Sequence, residues 1–153
     1  MPAPPYDDAN IFARILRGEL PCHKIHEGEK TFAFLDVMPR TQGHTLAIPK
    51  APSRNILDID ESDLTALIAG VKLIARAAKQ AFHADGVTIQ QFNETAGGQM
   101  IFHTHFHILP RWEGVALKPH SGKMADQSKL KADAELLRIA FNTLKAEGKF
   151  QPC

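Results

Sequence analysis

Cysteine is scarce in this chain. Among 153 residues only Cys22 and Cys153 carry thiols, and they stand far apart. Neither a disulfide framework nor a Cys-x-x-Cys metal pattern can be read from them. Long apolar runs are also lacking. None approaches the roughly 18 residues that a membrane-crossing helix needs, so no membrane partner is expected. An excess of either charge is missing as well. The 18 Lys and Arg residues stand against 17 Asp and Glu, a formal net charge of +1, with a pI near 7.9. Bulk charge therefore draws the chain to neither nucleic acid nor an anionic membrane, and any anion binding must be local. Residues 1–9 are proline-rich and acidic and do not read as a signal peptide. A cytoplasmic protein with free thiols is the expectation. No internal repeat or low-complexity tract occurs.

What is present is an ordinary globular composition, 44% apolar and 23% charged, at a length that suits one domain with one core. Residues 1–9 read as a loose arm and residues 11–16 as a short amphipathic helix stopped by Gly18 and Pro21. Residues 22–26 and 31–36 form a hairpin around Glu27-Gly28-Glu29-Lys30. A turn over 39–42 leads to a third strand over 43–50. Residues 60–84 are the clearest helix, with Leu64, Leu67, Ile68, Val71, Ala75, Ala78 and Phe82 at helical spacing. Asp60 or Ser62 can cap it and Gly86 can end it. A strand over 87–92, a glycine-containing loop over 93–99 and a strand over 101–110 follow. Residues 113–125 are polar and expected to be mobile. Leu130, Ala134, Leu137, Phe141 and Leu144 mark a last helix. Hairpins and neighbouring strands dominate without regular βαβ alternation, which predicts an antiparallel α+β domain.

The strand over 101–110 contains His103-Thr104-His105-Phe106-His107. Strand side chains alternate between faces, so His103, His105 and His107 are expected on one face, roughly 6.7 Å apart from one to the next. Thr104, Phe106 and Ile108 turn the other way. Three imidazoles are a costly way to build a sheet face, because each neutral ring needs partners for both nitrogens. The strand is fed by Ala96-Gly97-Gly98-Gln99-Met100. Glycines let the backbone approach a ligand closely, and successive N–H groups in such a turn make an anion-binding concavity. A glycine loop feeding imidazoles points to a phosphate or another oxyanion. Imidazole titrates near neutrality and can serve as nucleophile, acid or donor. His105, with a neighbour on each side, has the arrangement of an activated nucleophile and its orienter. Two of the rings on one zinc ion is the rival reading.

Together these residues resemble the histidine triad (HIT) family of nucleotide hydrolases and transferases. The family pattern, His-φ-His-φ-His-φ-φ with φ apolar, is matched by residues 103–109 apart from the polar Thr104. The resemblance runs over residues 10–112 and is closest to the bacterial, Hint-like branch. It draws on the opening helix over 11–21, on Phe34-Leu35-Asp36, on Gly43-His44-Thr45-Leu46-Ala47-Ile48-Pro49-Lys50, and on Asn93 with Ala96-Gly97-Gly98-Gln99. It implies a HIT-like fold, a five-stranded antiparallel sheet with a long helix and a C-terminal helix. The domain would occupy 10–112, behind a flexible arm over 1–9, and residues 113–153 would extend it as a loop and helix.

The resemblance also implies roles. His105 would attack the α-phosphorus of a nucleotide. The main-chain carbonyl of His103 would fix its tautomer, and His107 would hydrogen-bond the phosphate. The His103 side chain, with His44, would brace the nucleophile. Gly98, Gln99 and the N–H of Met100 would hold phosphate oxygens, and Asp36 both ribose hydroxyls. Phe12, Ile15, Phe34 and Val37 would sandwich the base, with Asn93 near the sugar. Two departures stand out. Many bacterial relatives carry Cys-x-x-Cys at Asn10-Ile11-Phe12-Ala13 and bind a structural zinc through those thiolates and histidines matching His44 and His103. Both thiolates are missing here, so no metal and no cofactor is expected. Relatives often have Ser or Thr where Met100 stands, which bears on leaving-group preference. The expected activity is hydrolysis at the α-phosphate of purine nucleoside phosphoramidates or adenylates (AMP or GMP derivatives) by a homodimer. A dinucleoside polyphosphate hydrolase and a nucleotide-binding regulatory module are the alternatives.

Overall fold

Alternating apolar side chains in two adjacent strands set the layers. In the computed structural model, which describes residues 4–119 and 123–150, strands β1 (Lys24–Glu27), β2 (Thr31–Leu35) and β3 (Thr45–Pro49) follow a first helix, α1 (Ile11–Leu16). Helix α2 (Glu61–Ala81), strands β4 (Gly86–Gln90) and β5 (Phe106–Arg111), and helix α3 (Gln127–Phe150) complete the chain. The five strands form one antiparallel sheet in the order β1-β2-β3-β5-β4. This is the predicted α+β architecture. Residues 1–3, 120–122 and 151–153 lie outside the description, and with them the start of the expected arm, the middle of the expected loop and Cys153.

Ala33, Leu35, Ala47, Phe106 and Ile108 face the main core, where they meet Leu67, Val71, Ile74 and Ala78 of α2 and Leu130, Ala134, Leu137 and Phe141 of α3. The intervening residues Phe32, Phe34, Leu46 and Ile48 form a second cluster with Phe12 of α1 on the opposite face. Strand periodicity thus makes a sheet apolar on both faces, one under two long helices and one under a single short one. Asn10 caps α1 by accepting from the Ala13 N–H at 2.9 Å. Gly43 adopts φ +78°, and a Cβ there would run into the Phe82 ring.

Two expectations need correction. Helix α2 ends at Ala81 rather than reaching Gly86. Phe82 closes it and His83 takes φ +51°, so the turn is made by a non-glycine residue and Gly86 opens β4 instead. Strand β5 begins only at Phe106 and takes in His107 alone of the three histidines. Its ladder with β3 stops at Ala47↔Phe106. Beyond that point the Thr104 N–H donates to the Ser53 carbonyl at 3.0 Å, and the Pro49 carbonyl accepts from the His103 ring at 2.9 Å. Pro49 has no N–H with which to extend a ladder. In the arm, the Tyr6 hydroxyl meets the His103 ring. In the 113–125 loop, the Lys118 N–H donates to the Arg40 carbonyl and the Ala125 N–H to the Val37 carbonyl, each at 2.8 Å.

Candidate active site

One transverse row of the sheet makes the floor of a cavity of about 460 Å³. Phe34 of β2 pairs with Leu46 of β3, Leu46 with His107 of β5, and His107 with Gln90 of β4, and all four side chains line the cavity. Helix α1 supplies one wall through Ile11, Phe12 and Ile15. The turn after β2 supplies Asp36, Val37 and Met38, and the glycine loop supplies Gly98 and Met100. His44 and His105 complete the polar side.

The hydrogen bonds fix the ring tautomers. A carbonyl only accepts, so His105 Nδ1 donates to the His103 carbonyl at 2.7 Å. Its Nε2 is left with the lone pair. The His105 ring packs against Phe12 at 4.9 Å and against His107 at 5.0 Å. Burial pushes its pKa below the ordinary imidazole value, despite the opposing bond to the carbonyl, so the ring is neutral at pH 7. His44 is fixed by a different donor. The Arg40 N–H donates to its Nδ1 at 3.1 Å. The His44 proton therefore sits on Nε2, which lies 3.0 Å from His107 Nδ1. His107 accepts there and carries its own proton on Nε2. One imidazole thus offers a lone pair and its neighbour an N–H. That is the complement of groups needed to attack an electrophilic centre and to hydrogen-bond what departs.

His103 stands apart. Its side chain is fully buried. Nε2 donates to the Pro49 carbonyl at 2.9 Å and Nδ1 accepts from the Tyr6 hydroxyl at 2.6 Å. Desolvation lowers its pKa to about 4. His103 reaches His105 through its main-chain carbonyl, and the His44 ring meets His107. The two also cannot share an ion. His44 precedes β3 and His103 sits at Pro49, five residues on, a strand length of roughly 17 Å.

A different trio, Asp36, His44 and His107, places one potential ligand atom from each residue within 4.8 Å of the others. Asp36 Oδ2 is 3.6 Å from His44 Nε2. The donor set fits an ion poorly. A metal would need the Nε2 lone pair of a ring whose Nδ1 already accepts from Arg40, and a neutral imidazole has one lone pair to give. Within the trio, His44 and His107 are hydrogen-bonded, and the Asp36 carboxylate stands beside His44.

Two other expected site residues turn away from the cavity. The Gln99 amide is buried and fully engaged. Its oxygen accepts from Asn55 Nδ2 at 3.0 Å and the Glu94 N–H at 2.8 Å, and its nitrogen donates to the carbonyls of Arg54 at 2.7 Å and Ile101 at 3.0 Å. The Asn93 oxygen accepts from the Ile56 N–H at 2.9 Å, and its amide exchanges bonds with Gln91. Both side chains bond to the loop and its surroundings. Gly98 adopts φ +96° with the Phe92 ring 3.2 Å from where a Cβ would sit, so the loop can pass over Phe92 only with glycine there. The remaining expected residues, namely Phe12, Ile15, Phe34, Asp36, Val37, Met100, His105, His107 and His44, all line the cavity.

Sequence reasoning missed a brace under the glycine loop. Arg54 forms a two-bond ion pair with Glu94 at 2.9 and 3.0 Å and lies 4.1 Å above the Phe102 ring. Asn55 also donates to Glu94, and Ser53 Oγ meets Thr104 Oγ1 at 2.7 Å. Glu94 itself takes φ +65°, a conformation costing about 1–3 kcal/mol that surrounding contacts must hold in place. Met124, from the far end of the 113–125 loop, also reaches the cavity. No local pattern announces partners some forty residues away. The apolar Leu46, by contrast, could have been placed from its alternation with Ala47.

The match to known proteins agrees with this geometry. The HIT domain model covers residues 17–114, and the chain belongs to the HIT family. A HIT-like protein of Bartonella henselae, described as involved in cell-cycle regulation and crystallised with an unknown ligand, superposes with a TM-score of 0.83. It is 45% identical, over 89% of this chain and 99% of its own. A zinc-bound histidine triad family protein of Mycobacterium smegmatis superposes with a TM-score of 0.81 at 33% identity, over 91% of this chain and 97% of its own. Adenylylsulfatase HINT3 of Arabidopsis thaliana is 37% identical over 120 residues, 74% of this chain and 61% of the plant protein. Among the described residues no helix is long and apolar enough to cross a membrane.

Proposed function

We propose that this protein hydrolyses a bond at the α-phosphorus of a purine nucleotide, with a phosphoramidate or an adenylate as substrate. The observation that carries the reading is the bond from His105 Nδ1 to the His103 carbonyl, which turns a neutral Nε2 lone pair to the cavity. In the first step Nε2 attacks phosphorus, a P–N bond forms to the ring, and the bond to the leaving group breaks. The His107 Nε2–H hydrogen-bonds the departing amine or oxygen, and an amine leaving group takes its proton from solvent. In the second step water attacks phosphorus, the P–Nε2 bond breaks to give back the neutral His105 ring, and the water's proton passes to solvent. Nucleotide monophosphate and free enzyme result. The apolar wall of Phe12, Ile15, Phe34 and Val37 suits a planar base, and Asp36 suits two ribose hydroxyls. The name of the Arabidopsis relative favours adenylates with an acid leaving group. A homodimer is part of the proposal: β4 is an edge strand whose Ile89 is exposed, and an open edge favours pairing with a second copy.

The test is a rate panel of AMP-amidate, AMP-lysine, adenylyl sulfate and diadenosine polyphosphates, with His105→Ala as control. Turnover confined to the polyphosphates would replace this reading with a dinucleoside polyphosphate hydrolase. Tight AMP binding without turnover on any substrate would leave a nucleotide-binding module.

A further inference from the structure

We propose that Tyr6, fixed by Asn10, is a positioning residue for the candidate nucleophile, acting on His105 through His103. A fully buried imidazole needs a partner at each nitrogen. His103 gives its Nε2 proton to the Pro49 carbonyl, so its Nδ1 is left as an acceptor. The Tyr6 hydroxyl fills that role at 2.6 Å, with its ring set edge-on to the imidazole at 5.7 Å. The hydroxyl proton has one direction to take, because Asn10 Nδ2 donates to the same oxygen at 3.0 Å. Asn10 is held in turn, its amide oxygen capping α1 at the Ala13 N–H and its nitrogen also donating to the Asp7 carbonyl at 2.8 Å. Helix α1 carries Phe12, whose ring lies against His105.

One cluster therefore joins the arm, the start of α1 and His103. The carbonyl of His103 decides which nitrogen of His105 bears the proton.

The kinetic part of the test rests on the hydrolase reading; the spectroscopic part does not. Tyr6→Phe keeps the ring and removes only the hydroxyl. In long-range 1H–15N spectra of the labelled protein, the His103 Nδ1 resonance should move downfield as its donor is lost. The His105 resonances should shift toward a mixture of tautomers. On the best substrate of the panel kcat should fall about tenfold, the scale of one hydrogen bond, with KM little changed. Asn10→Ser keeps a capping oxygen and removes the donor to Tyr6, and should move the same signals less. Unchanged His105 resonances and kcat in Tyr6→Phe, even with a lowered melting temperature, would overturn the proposal and leave Tyr6 as packing. A larger effect in Asn10→Ser than in Tyr6→Phe would overturn the ordering of the relay. If the wild type turns over nothing, the hydrolase reading fails while the His105 spectrum still decides this one.

Discussion

The two sides of the cavity are built by opposite means. The apolar side is an extension of the second core cluster. Phe12, Phe34 and Leu46 are buried against each other and reach the cavity only with their outer faces. Here the contacts that hold the fold are also the contacts offered to a ligand. On the polar side the two jobs are separated. Arg54, Asn55, Glu94 and Gln99 hold the glycine loop from behind, and His105 and His107 face the cavity. A variant on the apolar side should therefore lose stability and binding together, whereas one on the polar side can lose chemistry alone.

The sharpest break in that comparison is His105→Ala. Removing the group that attacks phosphorus should lower kcat by on the order of 10⁴–10⁶, with nucleotide affinity by calorimetry close to wild type. Near-normal turnover would end the covalent mechanism. Phe12→Ala is the matching test on the other side. Truncating a buried phenylalanine costs about 3–5 kcal/mol, read as a lower urea midpoint, and nucleotide affinity should fall with it. A variant that binds normally yet is strongly destabilised would show that the apolar side serves the fold only.

Acid should act on the polar side through His103. Its pKa of about 4 in the fold lies below the ordinary 6.5 of an unfolded chain. Between those values the unfolded state binds the extra proton, so stability is fully present above pH 6.5 and is lost as pH falls toward 4. The window corresponds to about 3 kcal/mol. His105 and His26 are shifted in the same direction, both mainly by burial, and add to the loss. Urea midpoints from pH 7.5 to 4 should fall steadily, and His103→Gln should flatten the slope. A slope unchanged in that variant would place the titrating group elsewhere.

The same division explains what could be read in advance. Alternation in β2 and β3 and helical spacing in α1, α2 and α3 were legible, because burial imposes a local period on residues such as Phe34, Leu46, Leu67 and Val71. The apolar side of the site came with them. The histidine segment was legible as chemistry but not as conformation. The pattern promised one long strand, and the chain instead leaves the ladder at Phe106 and hands its earlier bonds to Ser53 and Pro49. Gln99 and Asn93 look like ligand-binding residues in any one-dimensional reading. Their partners include Asn55 and Ile56, far away in sequence, and only the folded chain shows that the Gln99 amide has no hydrogen-bonding position left to offer. Tyr6 was hidden for the same reason.

Met100 offers the finest cut between the two sides, because it belongs to the polar loop but brings an apolar side chain. It lines the cavity with 76% of its surface exposed, and its thioether cannot donate a proton. His107, whose ring lies 5.0 Å from that of His105, is then a donor at the leaving atom. Poor leaving groups such as alkyl amines need the most protonation in the transition state, so wild-type kcat/KM should favour acyl-adenylates, adenylyl sulfate and aryl or indolyl esters over alkyl phosphoramidates. Met100→Ser adds a hydroxyl at the mouth of the loop without touching the brace behind it. It should raise kcat/KM for the poor leaving groups by about 1–2 kcal/mol, the scale of one hydrogen bond, and leave the good ones unchanged. Equal gains on both classes, or none on either, would show that position 100 contributes its backbone only.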